Sequence, residues 1–113
     1  RLQWMAWEHD GLLIRLPVDG AELIAEGKFL HHCVGGYVDR MANGKTTILL
    51  IRRLSDPDTP FYTLEWLNGR VQQCRTLRNA SYTEDEQVFS FVTAWTKELA
   101  KKGKKKKSAT SAA

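Results

Sequence analysis

The pair Asn68-Gly69, set between Phe61-Tyr62-Thr63-Leu64-Glu65-Trp66-Leu67 and Arg70-Val71-Gln72-Gln73-Cys74-Arg75-Thr76, constrains this fold more than any other feature. Both residues tolerate the left-handed backbone that a two-residue hairpin turn demands, and the flanks favour extended chain. Two antiparallel strands follow. Thr46-Thr47-Ile48-Leu49-Leu50-Ile51 is β-branched and almost wholly apolar, the composition of a central strand covered on both faces, with Arg52-Arg53 marking its emergence into solvent. Leu12 to Leu16, closed by Pro17, reads as a shorter strand ending at a turn. A small antiparallel sheet of three or four strands is the expectation.

Two helical patterns accompany the strands. Asp19 precedes Glu22 by three residues, a capping arrangement that starts a helix near Ala21, with Leu23, Ile24 and Phe29 or Leu30 as its buried stripe. Thr83-Glu84-Asp85-Glu86 repeats that logic, and Val88, Val92, Trp95 and Leu99 then recur at helical spacing, with Phe89 and Phe91 flanking. This predicts an amphipathic helix from about Glu84 to Leu99 against the sheet. Trp4, Trp7, Trp66 and Trp95 read as core, since no basic residues interleave them as they would on a base-stacking surface.

Charge is unevenly placed. Six of the 17 basic residues are Lys101, Lys102, Lys104, Lys105, Lys106 and Lys107, so residues 1–100 hold 11 basic against 13 acidic groups, a balance of −2. The expected organisation is one domain over residues 1–100 and a disordered lysine-rich tail over 101–113, which lacks the apolar periodicity that would offset its ordering entropy. The tail's six lysines are the candidates for contact with nucleic-acid phosphates. The chain opens on Arg1 and runs straight into Leu2-Gln3-Trp4-Met5, which reads as the C-terminal part of a longer protein, with N-terminal domains of that protein as partners. Two cysteines make no disulfide scaffold, and no second Cys-x-x-Cys pair builds a zinc site, so a reducing, cytoplasmic setting without metal or other cofactor is expected. No apolar run approaches the roughly 20 residues that span a bilayer, and no membrane partner is expected.

The chemistry-bearing residues concentrate in Leu30-His31-His32-Cys33-Val34-Gly35-Gly36-Tyr37. His, Cys, Gly and Tyr are mediocre helix formers, and packing alone does not select this mixture. The paired glycines should interrupt or re-aim a helix here, and Asn43-Gly44 should stop the piece that follows. His31, His32 and Cys33 suit a thiolate activated by an imidazole. Cys33 equally suits a buried small hydrophobe, because sequence neighbours on a helix point about 100° apart and His32 would not face it. Glu65 lies mid-strand, where a carboxylate needs a partner or water. A two-residue turn sets Glu65 opposite Gln72, with Thr63 and Cys74 on its face. One further residue would bring Glu65, Gln73 and Arg75 onto one face instead. A metal site drawn from His31, His32, Cys74 and Glu65 matches no standard zinc spacing. Arg75, Arg78 and Asn79 form a polar stretch able to hold a phosphate.

The His-His-Cys-Val-Gly-Gly-Tyr segment, with Gly44-Lys45-Thr46-Thr47-Ile48-Leu49, Phe61-Tyr62-Thr63-Leu64-Glu65, Val71-Gln72-Gln73-Cys74-Arg75 and Arg78-Asn79, resembles the PcfJ-like family. The similarity runs from about Asp10 to Trp95. It implies a bacterial setting on conjugative plasmids, phages and other mobile elements, and it names no reaction. The family's Thr-x-Glu and Gln-x-Arg elements favour the register in which the ribbon's polar groups converge. The sequence thus points to an α+β domain, a sheet of three or four strands packed against a C-terminal helix and a His-His-Cys helical segment. Two roles follow. One is an accessory module in DNA processing or transfer that touches nucleic acid. The other is an enzyme domain, a hydrolase or transferase, with His31, His32, Cys33 and Glu65 as catalytic candidates and Tyr37, Gln73, Arg75, Arg78 and Asn79 as ligand contacts.

Overall fold

A computed structural model describes residues 2–31, 41 and 44–112, with side chains as far as Lys102. Its strands are β1 (Trp7–His9), β2 (Leu12–Arg15), β3 (Thr47–Arg53), β4 (Tyr62–Leu67) and β5 (Arg70–Arg75). Among the described residues they form one sheet in the order β1-β2-β3-β4-β5, every pair antiparallel. The sheet therefore has five strands rather than three or four. The strand missing from the sequence reading is β1, which has only three residues, two of them exposed, so no alternation betrays it. Its turn, Asp10-Gly11, has left-handed backbone at both positions (φ 49° and 82°), the geometry a two-residue hairpin requires.

Helix α1 (Gly20–Leu30) starts where Asp19 Oδ1 accepts the Glu22 amide at 2.8 Å, and Glu22 Oε1 accepts the Val18 amide at 2.8 Å. Its buried stripe is Leu23, Glu26, Gly27 and Leu30, a spacing of three, four and seven residues. Ile24, expected inside, is instead 44% exposed, and of the alternatives Phe29 and Leu30 it is Leu30 that is buried, Phe29 being 54% exposed. The helix is rotated so that Glu26 reaches Arg52, and this polar contact overrides the apolar pattern. The helix ends at Leu30, where His31 takes the left-handed conformation (φ 57°, ψ 44°) and its amide bonds to Gly27 O. A His-His-Cys helical segment is accordingly not among the described elements. His32, Cys33 and Tyr37 lie outside the described residues.

The second helix, α2 (Glu86–Ala112), is preceded by a short 3-10 turn, Tyr82–Glu84, whose capping box joins Ser81 to Glu84. Val88, Phe91, Val92, Trp95 and Leu99 are buried, and they cover Leu12, Ile14, Leu49, Ile51, Tyr62, Leu64 and Cys74 from the sheet. Trp95 Nε1 donates to Met5 O at 2.8 Å, and its ring meets Trp66 edge-on with centroids 5.1 Å apart. Trp4, Trp7 and Trp66 pack against the same core. The backbone of α2 carries on through the lysine-rich stretch to Ala112. Among the described residues no helix is long and apolar enough to cross a membrane.

The two faces of the sheet differ in chemistry. Antiparallel partners share a face, so Leu49, Ile51, Tyr62, Leu64 and Cys74 look toward α2 while Ile48, Leu50, Thr63, Glu65 and Gln73 look the other way. On that second face Leu23 of α1 packs on Ile48, with Met41 beside them. Strand β3 is covered on both sides, and Ile48, Leu49, Leu50 and Ile51 have no exposed surface. Arg52 is buried as well, against the expectation that it would mark emergence into solvent; that point comes one residue later, at exposed Arg53.

Candidate functional site

The ribbon β4–β5 sets the geometry of the candidate site. Asn68 and Gly69 form the two-residue turn, with φ 54° and 78°, and Leu67 pairs with Arg70 and Trp66 with Val71. The register then shifts: Glu65 pairs with Gln73, Leu64 with Cys74 and Thr63 with Arg75, leaving Gln72 as the extra residue of a β-bulge. One inserted residue inside the strand does what a longer turn would have done. Neither sequence alternative included this combination. Glu65, Gln73, Thr63 and Arg75 share the face on which α1 lies, and Cys74 is on the other.

Glu65 is buried at 7% exposure and accepts a hydrogen bond from Thr46 Oγ1 at 2.7 Å. Thr63 Oγ1, two residues earlier on the same face, is buried and has no hydrogen-bond partner among the described residues. Gln73 is half-buried opposite Glu65. Arg75 Nη1 donates to Asn79 O at 3.1 Å, which folds the chain after β5 back over the ribbon's end. There Arg78 and Asn79 sit in a 3-10 turn, Leu77–Asn79, both exposed and both left-handed (φ 56° and 66°), and α1 contacts this turn. Glu65, Gln73 and Arg75 thus share one face of the ribbon, and Asn79 joins them only through the carbonyl that Arg75 reaches. His31 is exposed at the end of α1.

Cys74 belongs to the core. It is buried under α2, and desolvation pushes its thiol well above the ordinary range, so it stays protonated and inert at neutral pH. Glu65 and Cys74 occupy opposite faces and cannot share an ion. Among the described residues no group of His, Cys, Asp and Glu is placed to hold a metal. Of the lysines, Lys101 is exposed, whereas Lys102 Nζ donates to Trp4 O at 3.1 Å and is tied to the body of the domain. The side chains of Lys104, Lys105, Lys106 and Lys107 lie outside the described residues.

A second polar cluster was not legible in the sequence. Arg15 of β2 grips Glu22 with two bonds, at 2.9 and 2.7 Å. Arg52 of β3 bonds Glu26 through Nη2, approaches Glu22 at 4.0 Å and donates from Nη1 to Pro57 O at 3.0 Å. Glu26 and Arg52 are both almost fully buried, and among the described residues Glu26 Oε2 and Arg52 Nε have no hydrogen-bond partner. Hydrogen bonding to Arg15, beyond its charge, holds Glu22 down to about 2. Burial pushes Glu26 up to about 7, because one guanidinium does not offset its desolvation. The seven-residue spacing of Arg15 and Glu22 and the 26-residue spacing of Glu26 and Arg52 belong to no local pattern, so sequence periodicity had no means of joining them.

The fold and site define an α+β domain, a five-stranded antiparallel sheet with an apolar helix layer on one side and a polar, arginine-bearing layer on the other. Family comparison matches residues 1–90 to the model described as PcfJ-like protein, and the chain belongs to that family. It is 39% identical over 80 residues to a protein of Listeria innocua, named as uncharacterized protein Lin1253/Lin1744. That alignment takes in 69% of this chain and 18% of the Listeria protein, so the chain spans less than a fifth of that relative's length. No solved structure matches the chain.

Proposed function

We propose that the chain is an accessory module of a bacterial mobile-element protein, acting in DNA processing or transfer by holding nucleic-acid phosphates. Charge placement carries this reading: six lysines fall within residues 101–107, on the continuation of α2, while residues 1–100 have a balance of −2. Trp95 and Leu99 fix α2 in the core immediately before that run, so the basic segment leaves the domain from an anchored point. The mobile-element setting and N-terminal domains of a longer protein as partners both rest on the family resemblance. The test is fluorescence anisotropy of the full chain with a duplex DNA oligonucleotide at several salt concentrations. Deleting Lys101 to Lys107 should abolish binding at moderate salt and flatten the salt dependence, since each phosphate contact contributes about 0.9 to the log–log slope. Binding that is unchanged by the deletion overturns the proposal.

A second reading, an enzyme domain, is favoured by the bulge at Gln72, which aligns Glu65, Gln73 and Arg75 on the face that α1 covers. Cys33 is its candidate nucleophile, with His31 or His32 as base and Tyr37, Arg78 and Asn79 as contacts. Thiol-reactivity profiling at neutral pH tests it cleanly, because buried Cys74 contributes no fast signal. Cys33 reacting no faster than an ordinary thiol removes nucleophilic catalysis.

A further inference from the structure

At the Arg52 end of β3, roughly 13 Å along the strand from Ile48 at 3.3 Å per residue, α1 and the loop after β3 enclose a cleft of about 270 Å³. Glu22, Glu26 and Asp58 line it with carboxylates and Arg52 with the one guanidinium among its lining residues, while Phe29, Ala25 and Pro60 supply apolar walls. Its size is below the roughly 300–1,000 Å³ of sites for drug-sized molecules, so it fits a single side-chain-sized group.

The cleft is short of positive charge. Arg15 is already held by both oxygens of Glu22, and Arg52 divides its two terminal nitrogens between Glu26 and Pro57 O, with Nε left without a partner among the described residues. Three carboxylates against these two guanidinium groups leave a balance of −1 when all are ionised. Glu26, 1% exposed, keeps an oxygen without a hydrogen-bond partner among the described residues. Burial also makes it take up a proton near neutrality, which relieves the same deficit by other means. An anion placed beside Arg52 would meet the carboxylates of Glu22 and Asp58, and that of Glu26 whenever it is ionised. A cation meets them favourably, and the half-exposed Phe29 ring offers a face both to its charge and to an alkyl stem.

We propose that this cleft binds an alkyl-linked cation, an ammonium or guanidinium head received by Glu22, Glu26 and Asp58 with its stem along Phe29 and Pro60. Such a head is carried by a lysine or arginine side chain of a protein or by a free polyamine. This site is independent of the nucleic-acid reading and opposite to it in charge, so either can fail alone.

The experiment is a titration of the isotopically labelled full chain with n-butylammonium chloride, followed by amide chemical shifts and referenced to sodium chloride at equal ionic strength. Saturable shifts at Ala25, Phe29 and Asp58, absent with sodium, are expected. Phe29→Ala and Asp58→Asn change exposed positions, and at least one should weaken binding by about two- to fivefold. Spermidine binding more tightly than Nα-acetyl-lysine methylamide would identify a polyamine site, and the reverse order a site for a basic side chain. Shifts no larger than those with sodium, or an affinity unchanged in both variants, would overturn the proposal.

Discussion

Glu22 and Glu26 stand one turn apart on α1, yet their environments drive their protons in opposite directions. Glu22, gripped by Arg15, titrates near 2, and Glu26, buried with one guanidinium, near 7, both from an ordinary 4.5. For Glu22 the unfolded chain binds the proton first as pH falls, so the stability it contributes is present above about 4.5 and is lost toward 2. For Glu26 the folded chain holds the proton longer, so stability present below about 4.5 is lost as pH rises to 7. The two slopes place the most stable pH near 4.5 to 5. Urea midpoints measured between pH 3 and 8 should fall on both sides of that value, and Glu26→Gln should flatten the alkaline limb while leaving the acid limb in place. An unchanged alkaline limb in that variant would assign it to other groups. The partner of Glu26 gives a second expectation. Arg52→Ala strands a buried carboxylate and should cost about 3–5 kcal/mol, whereas Arg52→Met combined with Glu26→Leu should restore most of that loss, because a well-packed apolar pair replaces a buried ion pair at little cost.

At the scale of elements, the hairpin turn and the bulge at Gln72 make separate contributions. The turn fixes Leu67 opposite Arg70, and the bulge moves Glu65 from Gln72 to Gln73. Removing Gln72 should therefore leave every other pairing intact, since Trp66–Val71 and Glu65–Gln73 would simply become consecutive. In a Cys33→Ser background the deletion variant should stay folded with Cys74 unreactive toward a thiol reagent. A slipped register would carry Cys74 to the polar face and make it reactive. The same element shows what a sequence reveals and what it withholds. Asn68-Gly69 announces the hairpin because both residues tolerate the backbone that the turn imposes. A bulge leaves no such mark, because Gln72 and Gln73 are identical side chains and either could be the extra one. Helix α2 was legible because its stripe is apolar throughout, with Val88, Val92, Trp95 and Leu99 all buried. Helix α1 was legible as a helix but not in its rotation, since the inward position Glu26 is a charge whose partner lies 26 residues away. Strand β1 was too short to show a period.

In the whole molecule, the sheet separates two layers of unequal cohesion. Among the described residues the α2 side has a continuous core of thirteen buried residues, while on the α1 side Leu23 packs on Ile48 beside Met41, Leu30 and Leu50 are buried as well, and the Arg15, Glu22, Glu26 and Arg52 contacts supply the rest. Apolar burial contributes about 1.5–3 kcal/mol per large side chain, and a buried ion pair returns little beyond its own desolvation, so most of the global stability resides on the α2 side. The α1 layer is then the part able to open while the sheet and α2 remain folded. Native-state hydrogen exchange should show amides of β3, β4 and the α2 segment from Val88 to Leu99 exchanging only through global unfolding, with α1 amides exchanging through a lower-energy opening. Two substitutions separate the layers. Trp95→Ala removes the largest side chain of the main core and should cost about 3–5 kcal/mol, accelerating exchange in both layers together. Leu23→Ala should accelerate α1 strongly and α2 little. Equal acceleration of both helices by Leu23→Ala would mean that the molecule unfolds as a single unit, and that the polar layer is as firmly joined to the sheet as the apolar one.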